Sequence, residues 1–231
     1  MAAVPDDRFD AVIVAAGSGT RLGFSTPKAF VPVAGKPMLQ HSVEVFSAHP
    51  SVSRLILVVP ASLVDETERR FQALTDIVVT EGGAERWESV RNGCSVATSP
   101  WVLIHDAARP LLTTAVIDSL LALRQEYRCA FTATPVVDTI RTFSGTAAGE
   151  TIDRSTLVRV GTPQMFDREV LMTAFSHIHE FATPPTDEVM LVQKTGIPAG
   201  IASGDPNNFK ITTKEDLEVA EALLSRDAER R

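Results

Sequence analysis

Five apolar, β-branched runs recur along the chain, with segments of helical period between them. Residues 11–15, 54–59, 77–80, 101–105 and 130–136 are too continuously hydrophobic to alternate between core and solvent. They predict strands buried on both faces. One helix is predicted to start near Pro37, a residue type favoured at the first helical position, and to run through His41, Val43 and Phe46 to about residue 48. Further helices are predicted over 63–74, 86–97 and 114–127. Strand and helix in alternation mean right-handed crossovers, hence an α/β fold with a mainly parallel sheet and helices on both of its faces. In such sheets ligands bind beyond the carboxyl ends of the strands.

The rhythm breaks between residues 137 and 161. The stretch 138–143, a Gly/Ala-rich turn at 144–149 and the stretch 151–160 predict a hairpin with few core residues, an arm leaving the main body. A projecting hairpin is marginal in isolation, and a second copy of the chain is the simplest thing for it to pack against. After the arm the pattern predicts helices at 168–180 and 187–194, a short strand at 197–202, and a last helix capped by Thr213 with Asp216 three residues later. Residues 226–231 read as a frayed end. The whole chain, 1–231, therefore reads as one domain with an arm, 137–161, inserted in it.

Composition narrows the function classes. The 231 residues suffice for a sizeable core, and 44% hydrophobic with 22% charged residues describes a folded globular protein. A net charge of −7 disfavours a nonspecific nucleic-acid binder, so any positive site must be local. The two cysteines, Cys94 and Cys129, match no zinc or redox spacing and read as buried thiols of a reducing compartment. No apolar run approaches the roughly 20 residues of a membrane span. Asp6 and Asp7 are out of place in a signal peptide. A cytoplasmic protein without membrane contact is expected.

Chemistry concentrates in four stretches. Directly after the first strand comes Ala15-Ala16-Gly17-Ser18-Gly19-Thr20-Arg21-Leu22-Gly23, whose small residues let backbone N–H groups approach an anion. The glycine spacing is not that of a dinucleotide fingerprint, and no Gly-Lys-Ser/Thr follows. A loop of some twenty residues carries Arg21 and Lys28 instead, a fork and a point charge suited to one polyphosphate; the bland alternative is a tight turn with two solvated cations. The second stretch, His105-Asp106-Ala107-Ala108-Arg109-Pro110, puts Asp106 at a strand end. A lone carboxylate there, beside a phosphate cradle, suits a divalent magnesium ion, or else the cap of a turn. His105 reads as a satisfied strand-end histidine. The third, Glu81-Gly82-Gly83-Ala84-Glu85-Arg86 with Ser89, offers backbone edges and a hydroxyl to a small base. In the fourth, Asp205-Pro206-Asn207-Asn208-Phe209-Lys210, Lys210 is a cation able to close the cradle from the opposite side.

These stretches, with Pro27-Lys28, Asp153-Arg154, Thr162-Pro163-Gln164-Met165-Phe166 and Thr186-Asp187-Glu188, resemble the 2-C-methyl-D-erythritol 4-phosphate cytidylyltransferases of non-mevalonate isoprenoid biosynthesis. The resemblance spans about residues 9 to 224. It implies a Rossmann-like fold of the nucleotide-diphospho-sugar transferase type. It also implies a homodimer whose arm reaches over its neighbour, CTP and a polyol phosphate as substrates, and a divalent cation, Mg²⁺. Residue by residue it implies Arg21 and Lys28 as the triphosphate-binding pair, Lys210 beside the reacting phosphates, and Asp106 at the metal. Ala15, Ala16, Gly17, Gly19, Gly82, Gly83 and Ser89 correspond to the nucleotide pocket. Arg109, Thr139, Arg154 and Thr162 correspond to positions engaging the polyol phosphate, several of them across the dimer. Two positions depart from the pattern: Ala84 stands where Asp is frequent, and Gly161 where a larger residue is usual. Ribitol-5-phosphate or sugar-1-phosphate nucleotidyl transfer, and a nucleotide-binding protein without turnover, are the competing readings.

Overall fold

A computed structural model describes residues 8–17, 26–74 and 76–229. In chain order the elements are β1 (Phe9–Val14), the short strands β2 (Pro32–Val33) and β3 (Lys36–Pro37), α1 (Met38–Ser47), β4 (Val52–Val59), α2 (Val64–Phe71), β5 (Ile77–Glu81), α3 (Arg86–Ser95) and β6 (Trp101–Asp106). Then follow α4 (Thr114–Leu121), β7 (Cys129–Pro135), β8 (Ile140–Ser144), β9 (Ala147–Ile152), β10 (Val158–Asp167), α5 (Arg168–Phe175), α6 (Glu188–Lys194), β11 (Gly200–Ser203) and α7 (Lys214–Glu229). A seven-stranded sheet runs β11-β7-β10-β6-β1-β4-β5. Only β10 is antiparallel to its neighbours in it.

The doubly buried strands explain why the sheet carries helices on both sides. Along β1, Phe9, Ala11 and Ile13 join one cluster with Leu39, Val43 and Phe46 of α1 and Ile117 and Leu120 of α4. Val12 points the other way, into a cluster with Val90 and Cys94 of α3, Leu171 of α5 and Val192 of α6. The β4 strand divides its side chains the same way, Leu55 and Leu57 to the first cluster, Ile56 and Val58 to the second. Period-2 geometry thus feeds two cores from one continuous apolar run. Both cysteines are free and buried, and burial pushes the Cys129 thiol up to about 12.

Two expectations need correction. The loop after β1 is not structureless throughout: a 3₁₀ turn at Lys28–Phe30 and the β2–β3 hairpin interrupt it. Val33 and Met38 bury there with Leu111, Ile211 and Ala220. The arm is also shorter than expected. It consists of the β8–β9 hairpin, whereas Val158 already opens β10, which continues into the middle of the main sheet. Nothing local marked 158–167 as a central strand. Gly161 and Pro163 read against one, and both fall where the β10–β7 register shifts, between Val160 and Gln164; a bulge tolerates a residue without an N–H.

One polar residue inside β1 has a structural task. Asp10 is fully buried and accepts hydrogen bonds from the Thr98 and Ser99 backbone N–H groups at 2.6 and 3.0 Å and from the Ser99 hydroxyl at 2.7 Å. It fixes the turn between α3 and β6 and therefore the entry of the strand that carries Asp106. Asp10→Ala would strand these donors in the interior, and a loss of about 3 kcal/mol is expected from the urea midpoint. An unchanged midpoint would show that the turn does not need the carboxylate.

Candidate active site

The carboxyl ends of β1 and β6, the loop after β5 and the segment after β11 meet at Asp106. Period-2 alternation sends His105 toward α1, where its ring meets Phe46 edge-on at 5.5 Å between centroids, and leaves Asp106 to the opposite side. Asp106 is buried and shared by two cations. Arg86 Nε donates to Oδ1 at 3.0 Å, and Lys210 Nζ donates to Oδ2 at 2.8 Å. Burial acts to raise the Asp106 pKa, but the charges of Arg86 and Lys210, with Arg109 behind them, hold it far below the usual carboxylate range.

Arg86, the first residue of α3, is clamped at its other end as well. Its Nη1 donates to both oxygens of Glu188 at 2.8 Å, and Glu188 is itself buried at the start of α6. Burial raises the Glu188 pKa above its ordinary value, with the Arg86 charge acting in the opposite sense. Arg86 and Glu188 lie in motif stretches, yet sequence reasoning gave neither a role. Ion pairing between positions 102 apart leaves no trace in local pattern.

Lys210 is brought in by backbone contacts. Ile211 N–H donates to the Ala108 carbonyl at 2.9 Å, and the Asn208 side-chain amide donates to the Thr162 carbonyl at 3.0 Å. Arg109 reaches back across the same seam to the Asn208 carbonyl at 3.1 Å and the Val160 carbonyl at 3.5 Å. Thr162 is buried, and its hydroxyl accepts the Asp106 N–H at 3.2 Å while lying 3.0 Å from His105 Nδ1. Because burial depresses His105 to about 4, the ring is neutral at pH 7. Its Nε2, 3.2 Å from the Arg109 carbonyl, must then be the N–H donor, so Nδ1 accepts from Thr162. His105 is a satisfied structural histidine, as its place at a strand end suggested. Thr162 borders the cavity through a side chain already committed to that network.

The residues expected at the nucleotide pocket are close-packed. Gly82 approaches β1 so nearly that a Cβ there would stand 2.3 Å from the Ala16 Cβ and 2.9 Å from the Ser89 hydroxyl oxygen. Ala15 is buried and Gly17 is open to solvent at the end of the same strand. Ser89 is buried and acts inside the loop, accepting the Gly83 N–H at 3.0 Å and donating to the Glu85 carbonyl at 3.3 Å. The Gly82 N–H is spent on the Val59 carbonyl at 2.8 Å. The Ser89 hydroxyl and the Gly82 and Gly83 N–H groups are thus all engaged within the protein. Ala84 is exposed on the loop.

A cavity of about 530 Å³ adjoins the Asp106 cluster, and Arg109, Thr162 and Lys210 line it. Lys28 heads its 3₁₀ turn, followed by Ala29 in the cluster that also holds Ala15 and Ala107. Arg21 and Gly19 lie outside the described residues. Thr139 and Arg154 are exposed at the base of the arm, just outside β8 and β9, where Arg154 Nη1 donates to the Val137 carbonyl. Among the described residues no group of three or more His, Cys, Asp or Glu side chains is placed to hold a metal ion, so a cage built by the protein is not what Asp106 offers. A magnesium ion carried mainly by phosphates needs only one or two carboxylates, and each Asp106 oxygen retains lone-pair capacity beyond the one hydrogen bond it accepts. Asp106 fits that lesser requirement.

Comparison with known proteins supplies the decisive observation: the family model described as 2-C-methyl-D-erythritol 4-phosphate cytidylyltransferase matches residues 9–226. The chain belongs to that family. A protein of that name from Nocardia farcinica is 41% identical over 222 residues, covering 94% of each chain. One from Bacteroides thetaiotaomicron is 36% identical over 92% of this chain and 98% of its own. The crystal structure of the enzyme of that name from Thermus thermophilus superposes with a TM-score of 0.79 at 30% identity, covering 93% of this chain and 98% of that one. The fold alone is shared with a 4-diphosphocytidyl-2C-methyl-D-erythritol synthase from Anaerococcus prevotii, with a TM-score of 0.85 at 24% identity over 96% and 98% of the two chains.

For a member of this family, the geometry around Asp106 makes a prediction about stability. Glu188→Gln keeps size and shape but leaves the Arg86 charge half-compensated in the interior. Breaking a buried pair from one side costs about 3–5 kcal/mol, and a drop toward that size is expected in denaturant titration. A loss under about 0.5 kcal/mol would show that the pair contributes no more than a surface contact.

Proposed function

We propose that the chain joins CTP and 2-C-methyl-D-erythritol 4-phosphate to give 4-diphosphocytidyl-2-C-methyl-D-erythritol and pyrophosphate, a step of non-mevalonate isoprenoid precursor synthesis. The reading rests on family membership together with one observation: Lys210, paired with Asp106 at the end of β6, lines a cavity walled by β7, β10 and the segment after β11. In the reaction a phosphate oxygen of the polyol forms a bond to the α-phosphorus of CTP, the bond to the β-phosphate breaks, and pyrophosphate leaves with the electron pair. The nucleophile is already ionised at pH 7, so the protein needs no strong base. Its task is to let two anions meet, against a repulsion on the order of 4 kcal/mol for unit charges at about 4 Å and an effective dielectric near 20.

Lys210 is the cation for the reacting α-phosphate. Asp106 holds it at the cavity wall, and an entering phosphate competes for the ammonium with a carboxylate that keeps Arg86 as its second partner. Lys28, and Arg21 by its place in the sequence, take the β- and γ-phosphates. The loops at Ala15–Gly17 and Gly82–Gly83 hold the cytidine. Asp106 would hold Mg²⁺, which when bound neutralises phosphate charge. Two buried free thiols suit a reducing, cytoplasmic setting.

The arm belongs to the same proposal. Phe143 is 80% exposed and Val137 70% exposed, with Val158 and Val160 also open. A large aromatic left out on a two-stranded hairpin has area to bury against a second copy of the chain. In such a homodimer Thr139 and Arg154 would serve the polyol phosphate of the neighbouring site.

Three measurements test this. Pyrophosphate release should appear when CTP is paired with methylerythritol 4-phosphate and stay at background with UTP, ATP or GTP; equal or better turnover with ribitol 5-phosphate would transfer the assignment to that substrate. Lys28→Ala and Lys210→Ala should each lower kcat/KM by at least tenfold, about 1.4 kcal/mol, and near-wild-type values would remove that residue from the scheme. Light scattering at micromolar concentration should give a dimer for the wild type and a monomer for Phe143→Ser, whereas a monomeric wild type would refute the arm's role.

A further inference from the structure

The cavity beside Lys210 contains a third cation that neither the motif stretches nor the resemblance pointed to. Arg159 lines it together with Arg109 and Lys210. On β10 Arg159 lies opposite Thr134 of β7, two residues before Gly161, where the β10–β7 register shifts. A Cβ at Gly161 would stand 3.1 Å from the Thr132 hydroxyl oxygen and 3.3 Å from its carbonyl. Gly161 thus lets the β10 backbone pass close to Thr132, and Arg159 stands two residues away in the wall of the same cavity.

The remaining polar groups show what that space suits. Asn208 is only 6% exposed, lines the cavity, and its side-chain oxygen has no hydrogen-bond partner. The buried Nε of Arg109 also lacks one. An acceptor and a donor left unpaired at a buried wall cost free energy until a ligand satisfies them. Two carboxylates face the same space, but both are engaged. Asp205 accepts the Asn207 N–H at 2.8 Å. Asp216 accepts from the Thr212 and Thr213 backbone N–H groups at 2.7 and 2.9 Å. The arrangement suits a compact anion bearing hydroxyls. Arg159 and Arg109 lie close enough for each charge to act on the other, which adds to the burial that lowers the Arg109 pKa; an anion between them relieves that repulsion.

We infer that Arg159 is a further phosphate-binding and specificity-determining residue of this chain, taking the phosphate of the incoming polyol phosphate from within the same protomer. The inference rests on the proposed reaction and on the place of Arg159 in the wall of the cavity that Arg109 and Lys210 also line. A guanidinium presents two parallel N–H groups to phosphate oxygens, so it can fix the orientation as well as the charge of the nucleophile.

The test uses the full-length protein and the variants Arg159→Gln and Arg159→Lys. Arg159→Gln should raise KM for methylerythritol 4-phosphate at least tenfold and leave KM for CTP within about twofold. Arg159→Lys should recover part of the loss by restoring the charge without the fork. Because Arg159 is exposed, neither variant should shift the denaturation midpoint, which separates this role from a structural one. Calorimetric titration with inorganic phosphate gives a readout independent of turnover: wild type should bind it at least fivefold more tightly than Arg159→Gln. Unchanged phosphate binding, or equal losses toward CTP and the polyol phosphate, would overturn the assignment. Failure of wild type to release pyrophosphate with any substrate pair would instead defeat the proposed function, while the phosphate titration still decides on Arg159.

Discussion

A buried carboxylate is expensive unless cations surround it, and Asp106 is the point at which this chain meets that requirement. Its two oxygens accept from Arg86 and Lys210, and Arg86 in turn stands on Glu188. Three separate segments, the start of α3, the start of α6 and the stretch after β11, must therefore arrive at the end of β6 together. The rest of the structure supplies that convergence. Parallel strands β4, β1 and β6 end side by side, α3 packs across them, and the Ile211 N–H to Ala108 carbonyl bond carries Lys210 back to the strand end.

The same arrangement divides labour between the two cations. Arg86 is clamped between two carboxylates and has little freedom to leave either one. Lys210 lines the cavity while donating to Asp106. Beneath them, the neutral imidazole of His105 and the Thr162 hydroxyl lock the backbone of Asp106, so the charge cluster rests on a rigid floor. Positioning of this kind suits phosphoryl transfer between two anions, where catalysis is mostly electrostatic preorganisation.

Much of this was legible in the sequence for identifiable reasons. Continuous apolar runs announced β1, β4, β6 and β7 because a strand buried on both faces leaves no room for alternation; β5 was found as well, but it is a half-buried strand at the sheet edge rather than a doubly buried one. The cap at Thr213 and Asp216 and the start of α1 after Pro37 followed from local hydrogen-bonding chemistry. The central strand β10 escaped because its bulge accommodates Gly161 and Pro163 and its core includes the buried Gln164, all of which read locally as loop. The Arg86–Glu188 pair, the internal use of the Ser89 hydroxyl and the place of Arg159 escaped for other reasons. The Arg86–Glu188 pair and the place of Arg159 depend on tertiary proximity, whereas the Ser89 hydroxyl is taken up locally by the Gly83 N–H and the Glu85 carbonyl.

The central claim is that Asp106 and Lys210 act as one unit in the reaction. A double-mutant cycle on kcat/KM for pyrophosphate release, using Asp106→Asn, Lys210→Ala and the pair, measures that directly. The double variant should be little worse than the worse single one, with a coupling of at least tenfold, about 1.4 kcal/mol. Losses that simply multiply would show two residues working independently and would contradict the account.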